Sequence, residues 1–317
     1  MDYATLEKLI IDQRKKLIAY KDMQVRPLLQ AYAELLDQLE YKVGRLFIDT
    51  NVQGVWDWST IARTQRLETL MLQIEADLQK LAYTTEQGLQ ISMSRAITVD
   101  YAFAGYIMTR AMDGITLIPP VVPQRAIKEI LDHPWSGDHF SNRIWHNKEV
   151  LKTNLRRELT QSMVSGESFD KTSRRLQDKL ETEAYKAERL VRSEIMAASN
   201  RANKAYYKRF DEEYGDYNIL QAIRVIETLD RKTCRKCRDM DGREVPVYEA
   251  DSIADIEHAN CRRTLVPVVS GFSRNIPRAA RDEKGKYYRT NATTFKEYAE
   301  EQGISYEYTG GNIKHEN

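Results

Sequence analysis

The sequence predicts an α+β protein that is predominantly α-helical. A long N-terminal helical hairpin and central helices are followed by a small zinc-stapled β-rich module and a polar C-terminal tail. Three observations carry this expectation. From Thr5 onward, apolar residues recur at three- and four-residue spacings. After Gly215 the period drops to two, where QAIRVIE alternates apolar and polar side chains. All three cysteines of the 317-residue chain fall between positions 234 and 261.

Residues 1–112 read as the helical hairpin. Leu28, Leu29, Tyr32, Leu35, Leu36, Leu39 and Val43 form one apolar stripe, with Glu34, Asp37 and Lys42 between them. Pro27, lacking an amide hydrogen, is expected to start a new helix or kink a long one. A loop around DTNVQG precedes a second stripe of Leu67, Leu70, Ile74, Leu78 and Leu81. Both stripes predict core packing rather than a partner-binding groove.

Residues 113–147 read as a Pro/aromatic-rich linker, with prolines at 119, 120 and 123 and with Trp135 and Trp145. His133, His139 and His146 are six and seven residues apart. That spacing matches neither the i,i+4 pair of a helical zinc site nor a short knuckle, so the aromatics are expected to pack on the helices. Residues 148–215 form a central helical region. Leu151, Leu155 and Leu159 recur every fourth position, VSGES marks a stop with Gly166 as the C-capping residue, and Ser168 caps the next helix. That helix carries Leu176 and Leu180. Ala187, Leu190, Val191, Ile195 and Ala198 line the inner face beyond them, among Arg189, Arg192 and Glu194.

Residues 216–269 form the β module, whose second strand is TLVPVV and whose Asp241-Gly242 pair signals a tight turn between the strands. Residues 270–317 read as a polar basic tail with one short helical candidate near TTFKEYAEEQG.

Composition bounds the function. With 42% hydrophobic and 30% charged residues and a net charge of +1, the chain is neither a polycation that coats nucleic acid nor an acidic solvating chain. Eight prolines and fourteen glycines exclude collagen-like and wholly disordered readings. The N-terminal MDYATLEKLIIDQRKK lacks the apolar core of a secretory signal. The lightly polar stretch 101–108 falls well short of the roughly 20 residues that cross a bilayer, so no membrane association is expected. In a cytoplasmic setting thiols stay reduced, and a CxxC pair reads as metal-binding or redox before it reads as a disulfide.

Cys234-x2-Cys237-x20-His258-x2-Cys261 has the format of a Cys3His zinc site. Zinc takes four soft or borderline ligands in a tetrahedron, and a CxxC turn aims two thiolates at one point about 2.3 Å away. The neighbouring Arg235, Lys236 and Arg238 favour the thiolate form. The other reading is free thiols in a small β core. A thioredoxin-like role is disfavoured, because no βαβ unit surrounds the pair. Four protein ligands leave no open position, so Zn2+ here is a structural cofactor with no catalytic residues around it. Such a site contributes roughly 10–16 kcal/mol of apparent binding energy in small zinc-finger peptides.

The strings TLDRKTCRKCRDMDGREVPV and HANCRRTLVPVV resemble the C-terminal module of the phage Mu F-like minor head proteins, also called phage head morphogenesis proteins. Asp230, Thr233, Cys234, Cys237, Asp241, Gly242, His258, Asn260, Cys261 and Arg262 match that family's pattern. Upstream, Arg192-Ser193-Glu194 with Asn200 resembles a second motif of the family, and PWSGDHFSNRIWHNKEVL followed by SGES resembles its Gram-positive branch. The resemblance covers about 130–270. Arg263 stands where many relatives carry another cysteine, and Ala259 where they carry proline.

The resemblance implies a minor structural protein, not an enzyme, at the portal vertex of a tailed phage or prophage. It would act in head assembly and in DNA packaging or delivery. The implied partners are the portal protein, capsid or scaffold protein, and double-stranded DNA. The implied location is the virion or procapsid interior, with host cytoplasm during assembly. Two basic runs are the nucleic-acid candidates, each with six basic and two acidic residues: 231–243, with Arg231, Lys232, Arg235, Lys236 and Arg238, and 274–289, with Arg274 and Arg278. Arg262 and Arg263 join them. Arg192 and Glu194 are expected to tie their helix to the β module by an ion pair.

The competing readings are a zinc-stapled nucleic-acid-binding module, a metal-dependent HNH-like nuclease suggested by His258 and Asn260, and a fusion toxin. The nuclease needs a catalytic histidine beyond the zinc ligands, and between residues 147 and 314 His258 stands alone. The residues after Val269 are too few for an ordinary effector domain.

Overall fold

The computed structural model describes residues 3–112, 121–271, 278–282, 284 and 286–304. Helix α1 (Tyr3–Thr50) runs 48 residues and contains Pro27. Proline forfeits one backbone hydrogen bond in a helix interior. Here Val25 and Leu28 on either side of it are buried, so packing of the apolar stripe carries the helix across. Neither a fresh start nor a break occurs at Pro27.

The expected loop is a two-residue hairpin. Strand β1 (Asn51–Val52) pairs antiparallel with β2 (Val55–Trp56), and Gln53 and Gly54 both take positive φ, 53° and 82°. Two successive positive φ values are the mark of the type I′ turns that fit strand twist. Asp57 then caps the short α2 (Trp58–Arg63) by accepting from the Ser59 amide at 3.1 Å, and α3 (Arg66–Ala111) runs back along α1.

The expected linker is largely helical. It contains α4 (Gln124–Leu131) and the start of α5 (Phe140–Val164). Prolines 119 and 120 lie outside the described residues. His139 caps α5, with Nδ1 accepting from the Ser141 amide at 3.3 Å and Nε2 lying 3.2 Å from the Leu131 carbonyl, so both ring nitrogens are engaged. Trp135 and Trp145 pack against the main core, as the sequence reading expects.

Helix α5 ends in a Schellman motif. Gly166 takes φ 61° and donates to the Met163 carbonyl at 3.3 Å, while the Glu167 amide donates to Ser162 at 2.9 Å. Ser168 caps α6 (Phe169–Tyr214) from the Lys171 amide at 3.4 Å. Helices α1, α3, α5 and α6 form an up-down-up-down bundle. One core near the α1–α3 turn holds Leu39, Val43, Ile74, Leu155, Leu159 and Leu176; the other holds Ile97, Met108, Ile195 and Tyr207 and continues into the β module.

After α6 and a 3-10 turn (Gly215–Tyr217), β3 (Leu220–Ile226) is the centre of a three-stranded antiparallel sheet. Its neighbours are β4 (Glu244–Val245) and β5 (Thr264–Val269). Between β3 and β4 lies α7 (Arg235–Met240), so Asp241-Gly242 links a helix to a strand rather than one long strand to the next. Gly242 takes φ 81°, and a Cβ there would meet Thr294 Cγ2 at 3.1 Å. A second 3-10 turn (Val247–Ser252) leads towards the histidine loop.

The segment read as a tail is folded where it is described. Strands β6 (Arg278–Arg281) and β7 (Tyr287–Thr290) pair antiparallel, α8 (Phe295–Glu301) follows, and Leu229, Ala280, Ala292, Phe295, Tyr298 and Ala299 make a third small core. Its polar composition hides it, because the core is built from alanines, two aromatic rings and the stems of arginines. Arg238 lies over the Phe295 ring at 4.7 Å. Phe295→Ala is expected to destabilise the protein by about 3–4 kcal/mol in chemical denaturation; an unpacked tail would leave the midpoint where it is.

Candidate metal centre

Asp230 shapes the loop that presents the cysteines. Its carboxylate accepts from the Lys232 amide at 3.0 Å and from Thr233 Oγ1 at 3.1 Å, and this turn sets Cys234 at the N-cap of α7. One helical turn on, Cys237 is buried. The second pair arrives in the loop before β5, where the Cys261 amide donates to the His258 carbonyl at 3.1 Å. Asn260 between them takes φ 64°, a left-handed conformation that asparagine tolerates better than most residues. The Arg262 guanidinium forks onto the Asp230 carboxylate, with Nη2 donating to Oδ1 at 2.7 Å and Nη1 to Oδ2, which joins the two loops.

Three of the four predicted ligands come together, and the fourth, Cys261, adjoins Cys237. His258 Nε2 lies 3.1 Å from Cys234 Sγ and 3.2 Å from Cys237 Sγ, and the Cys237 and Cys261 sulfurs are 3.7 Å apart. A tetrahedron with bonds of about 2.3 Å has edges of about 3.8 Å, so that sulfur pair sits at zinc spacing. His258 Nδ1 lies 2.8 Å from the Ala259 carbonyl and donates to it, which aims Nε2 at the sulfurs, and the hydrogen bond with Cys234 pushes the imidazole up to about 9.

The ligand atoms form two triads that share Cys237. Cys234, Cys237 and His258 make one, and Glu227, Cys237 and Cys261 make the other, with the atoms of each within 4.8 Å of one another. Zinc would be held by the first triad with Cys261 as the fourth ligand. Glu227 stands behind as a buried carboxylate that the cysteine spacing did not reveal. Its alternation on β3 marked it only as a polar strand residue.

Electrostatics favour a cation here. The hydrogen bond from Cys237 pushes the Cys234 thiol down to about 4, and the one to Cys261 helps push that thiol down to about 5. Cys237, which serves both, is pushed up. Burial, and then the charge of Cys261, push Glu227 up to about 8. Crowded anionic groups in a nearly dry pocket are what a divalent ion neutralises.

Most of the predicted phosphate contacts are already engaged within the fold. Arg263 is wholly buried, with Nε donating to Glu227 Oε1 and Nη1 to Glu257 Oε1, both at 2.6 Å. Arg278 donates to both Asp241 oxygens, at 2.6 and 2.9 Å, and to the Thr293 carbonyl at 3.0 Å. Lys236 pairs with Glu257, and Arg238 donates to the Thr233 and Arg231 carbonyls. Arg231, Lys232 and Arg235 are exposed, and Arg274 lies outside the described residues.

The upstream motif works differently from expectation. Glu194 does not reach the β module. It accepts from Trp135 Nε1 at 2.9 Å and from Arg143 at 2.6 Å, and burial pushes its carboxyl up to about 7. Arg192 turns to Asp22 on α1 and to Glu188. The middle residue makes the bridge: Ser193 Oγ accepts from the Asn260 amide at 2.9 Å. Two turns away from it on the same helix, Asn200 Nδ2 donates to the carbonyls of Asp255 at 2.7 Å and Arg263 at 3.1 Å. Asp255, which sequence reasoning passed over, is buried between Arg201 and Lys204 of α6 at 2.5 and 2.8 Å.

Residues 153–266 match the family model described as phage Mu protein F like protein. It is also 24% identical over 268 residues to the NAD(+)–arginine ADP-ribosyltransferase EFV of Enterococcus faecalis, an alignment that covers 81% of this chain and 53% of that relative. The chain thus spans about half the length of the curated relative it matches. No solved structure matches it.

Ser193→Ala leaves the half-buried Asn260 amide without its acceptor and is expected to cost about 1–2 kcal/mol in urea unfolding, while Arg192→Ala costs much less. Elemental analysis should find one zinc per chain, diminished in Cys237→Ser and lost on acidification as thiolates and imidazole take up protons. A metal content unaltered by Cys237→Ser would place any zinc elsewhere.

Proposed function

We propose that the chain is a minor head protein of a tailed bacteriophage or prophage. It would act in head morphogenesis, dock through its helical bundle at the portal vertex, and carry a structural zinc in its β module. The observation that carries this reading is how the family-motif residues are used. Asp230 and Arg262 join the two cysteine loops, Ser193 and Asn200 join α6 to the module, and Asp241 holds Arg278. Side chains of these types are the raw material of an active site, and here they hold loops and helices together instead.

The nuclease alternative loses support on the same ground. A general base needs a ring nitrogen free to reach a water, whereas His258 has one nitrogen on a carbonyl and the other among sulfurs. The match to residues 153–266 points to assembly, and the role proposed here is assembly rather than ADP-ribosyl transfer. No described helix is long and apolar enough to cross a membrane.

For docking, α1 and α3 leave Met23, Tyr41, Ile48, Leu72, Tyr83 and Ile91 exposed along the bundle, apolar surface suited to a protein partner such as portal, capsid or scaffold protein. Direct contact with double-stranded DNA falls to the exposed Arg231, Lys232 and Arg235, where affinity would drop steeply with salt. The setting is the virion or procapsid, reached from the host cytoplasm.

Co-expressed with the portal protein of the same genome, the chain is expected to co-elute with it in size exclusion, and Leu72→Asp with Tyr83→Asp to weaken that association while leaving the far-UV spectrum intact. Incubated with plasmid and Mg2+ or Mn2+, it is expected to leave the DNA uncut. Metal-dependent nicking abolished by His258→Ala would replace the structural reading with an enzymatic one.

A further inference from the structure

A cavity of about 710 Å³ opens between α1, α6, the sheet and the β6–β7 hairpin. Its size lies within the roughly 300–1,000 Å³ typical of small-molecule sites. Nine lysines and arginines line it against two carboxylates, Asp22 and Glu227. This is a concentration of like charge that a fold does not gather without a counter-charge, because repulsion and desolvation both oppose it.

Part of that charge is neutralised internally. Arg192 lies on Asp22 and Glu188, Arg262 on Asp230 and Arg278 on Asp241. Two deeper cations are left over. Lys21 on α1 is 4% exposed and makes no hydrogen bond or ion pair with any described residue. Two turns before it, Arg14 donates from Nη1 to the Arg263 carbonyl at 2.5 Å, while its Nη2 is buried with no partner. The surroundings oppose both charges: burial, then the charge of Arg14, brings the Lys21 ammonium down to about 8, and burial brings Arg14 down to about 10. At the rim, the Lys232 ammonium is exposed and pairs with no described carboxylate. The walls between these cations are apolar, formed by Ile10, Ile18, Ile226 and Val266, with the ring of Tyr287 at one side.

Adjacent unspent cations beside an apolar wall and an aromatic ring fit a ligand that carries both phosphates and a planar base. We propose that this cavity is a binding site for a phosphate-bearing nucleotide, with Lys21 and Arg14 on the phosphates and Lys232 at the entrance. The ligand is either a free nucleoside polyphosphate or the terminal nucleotide of a DNA strand. The site adjoins the sulfur cluster, since His258 and Glu227 line its wall, but the cations assigned to the phosphates are not metal ligands and the reading does not rest on portal docking.

Isothermal titration of the full-length chain at low salt tests it with four probes: inorganic triphosphate, ATP, and one DNA oligonucleotide with and without a 5′ phosphate. Saturable binding of one probe per chain is expected, weakening as salt rises. Lys21→Met is expected to reduce affinity roughly tenfold or more, and Lys128→Gln on the far α4 to leave it unchanged. Should Lys21→Met fail to fold, Lys232→Gln is expected to weaken binding roughly threefold. A preference for ATP over triphosphate assigns the free nucleotide, and a preference for the phosphorylated oligonucleotide over its 5′-hydroxyl twin assigns the DNA end. No binding of any probe at millimolar concentration, or equal binding by wild type and both lysine variants, overturns the proposal.

Discussion

The join between the helical bundle and the β module rests on one guanidinium taken wholly out of water. Arg263 sits between Glu227 and Glu257, and its own carbonyl accepts from Asn200 on α6 and Arg14 on α1. Removing an ion from water costs several kcal/mol even after relaxation, so such a group persists only where its partners are held in place. Each partner comes from a different part of the fold: the residue just after β3, the histidine loop, and two bundle helices. The arginine therefore records whether all four are in position, and loss of any one strands a buried charge.

That arginine follows Cys261 by two residues, so the fastening of the module and the placing of its sulfurs are properties of a single stretch of chain. Glu227 belongs to both as well, bonded to Arg263 on one side and grouped with Cys237 and Cys261 on the other. Burial and the charge of Cys261 push the Glu227 carboxyl up, so thiol and carboxyl compete for negative charge at this junction. A metal on the sulfurs and the guanidinium on the carboxylate would divide the neutralisation between them. This gives the cysteine cluster a part in holding the architecture rather than only in bracing its own loop.

The sequence made the elements legible wherever a periodic apolar face met a strong capping signal. The stripe through Leu35, Leu39 and Val43, the Gly166 stop and the Ser168 cap all stand where the pattern puts them, and Cys234, Cys237 and His258 converge, with Cys261 beside Cys237. Pro27 misled because propensity is local while the packing of Val25 and Leu28 is not. The folded region beyond Val269 escaped because alanines and arginine stems bury without an apolar signature. Charge was the least legible feature of all. Arg263 and Arg278 are surface cations by composition and interior struts by position, and only the location of their carboxylates distinguishes the two.

Helix α6 is continuous for 46 residues, about 70 Å at the usual rise, and it contributes to both large cores. The β module is pinned to it at Ser193, Asn200, Arg201 and Lys204, side-chain ties that supplement the short connection through the 3-10 turn. Whatever grips the far end of the bundle therefore sets the azimuth and the reach of the sulfur cluster together, as the shaft of a key sets the bearing of its teeth.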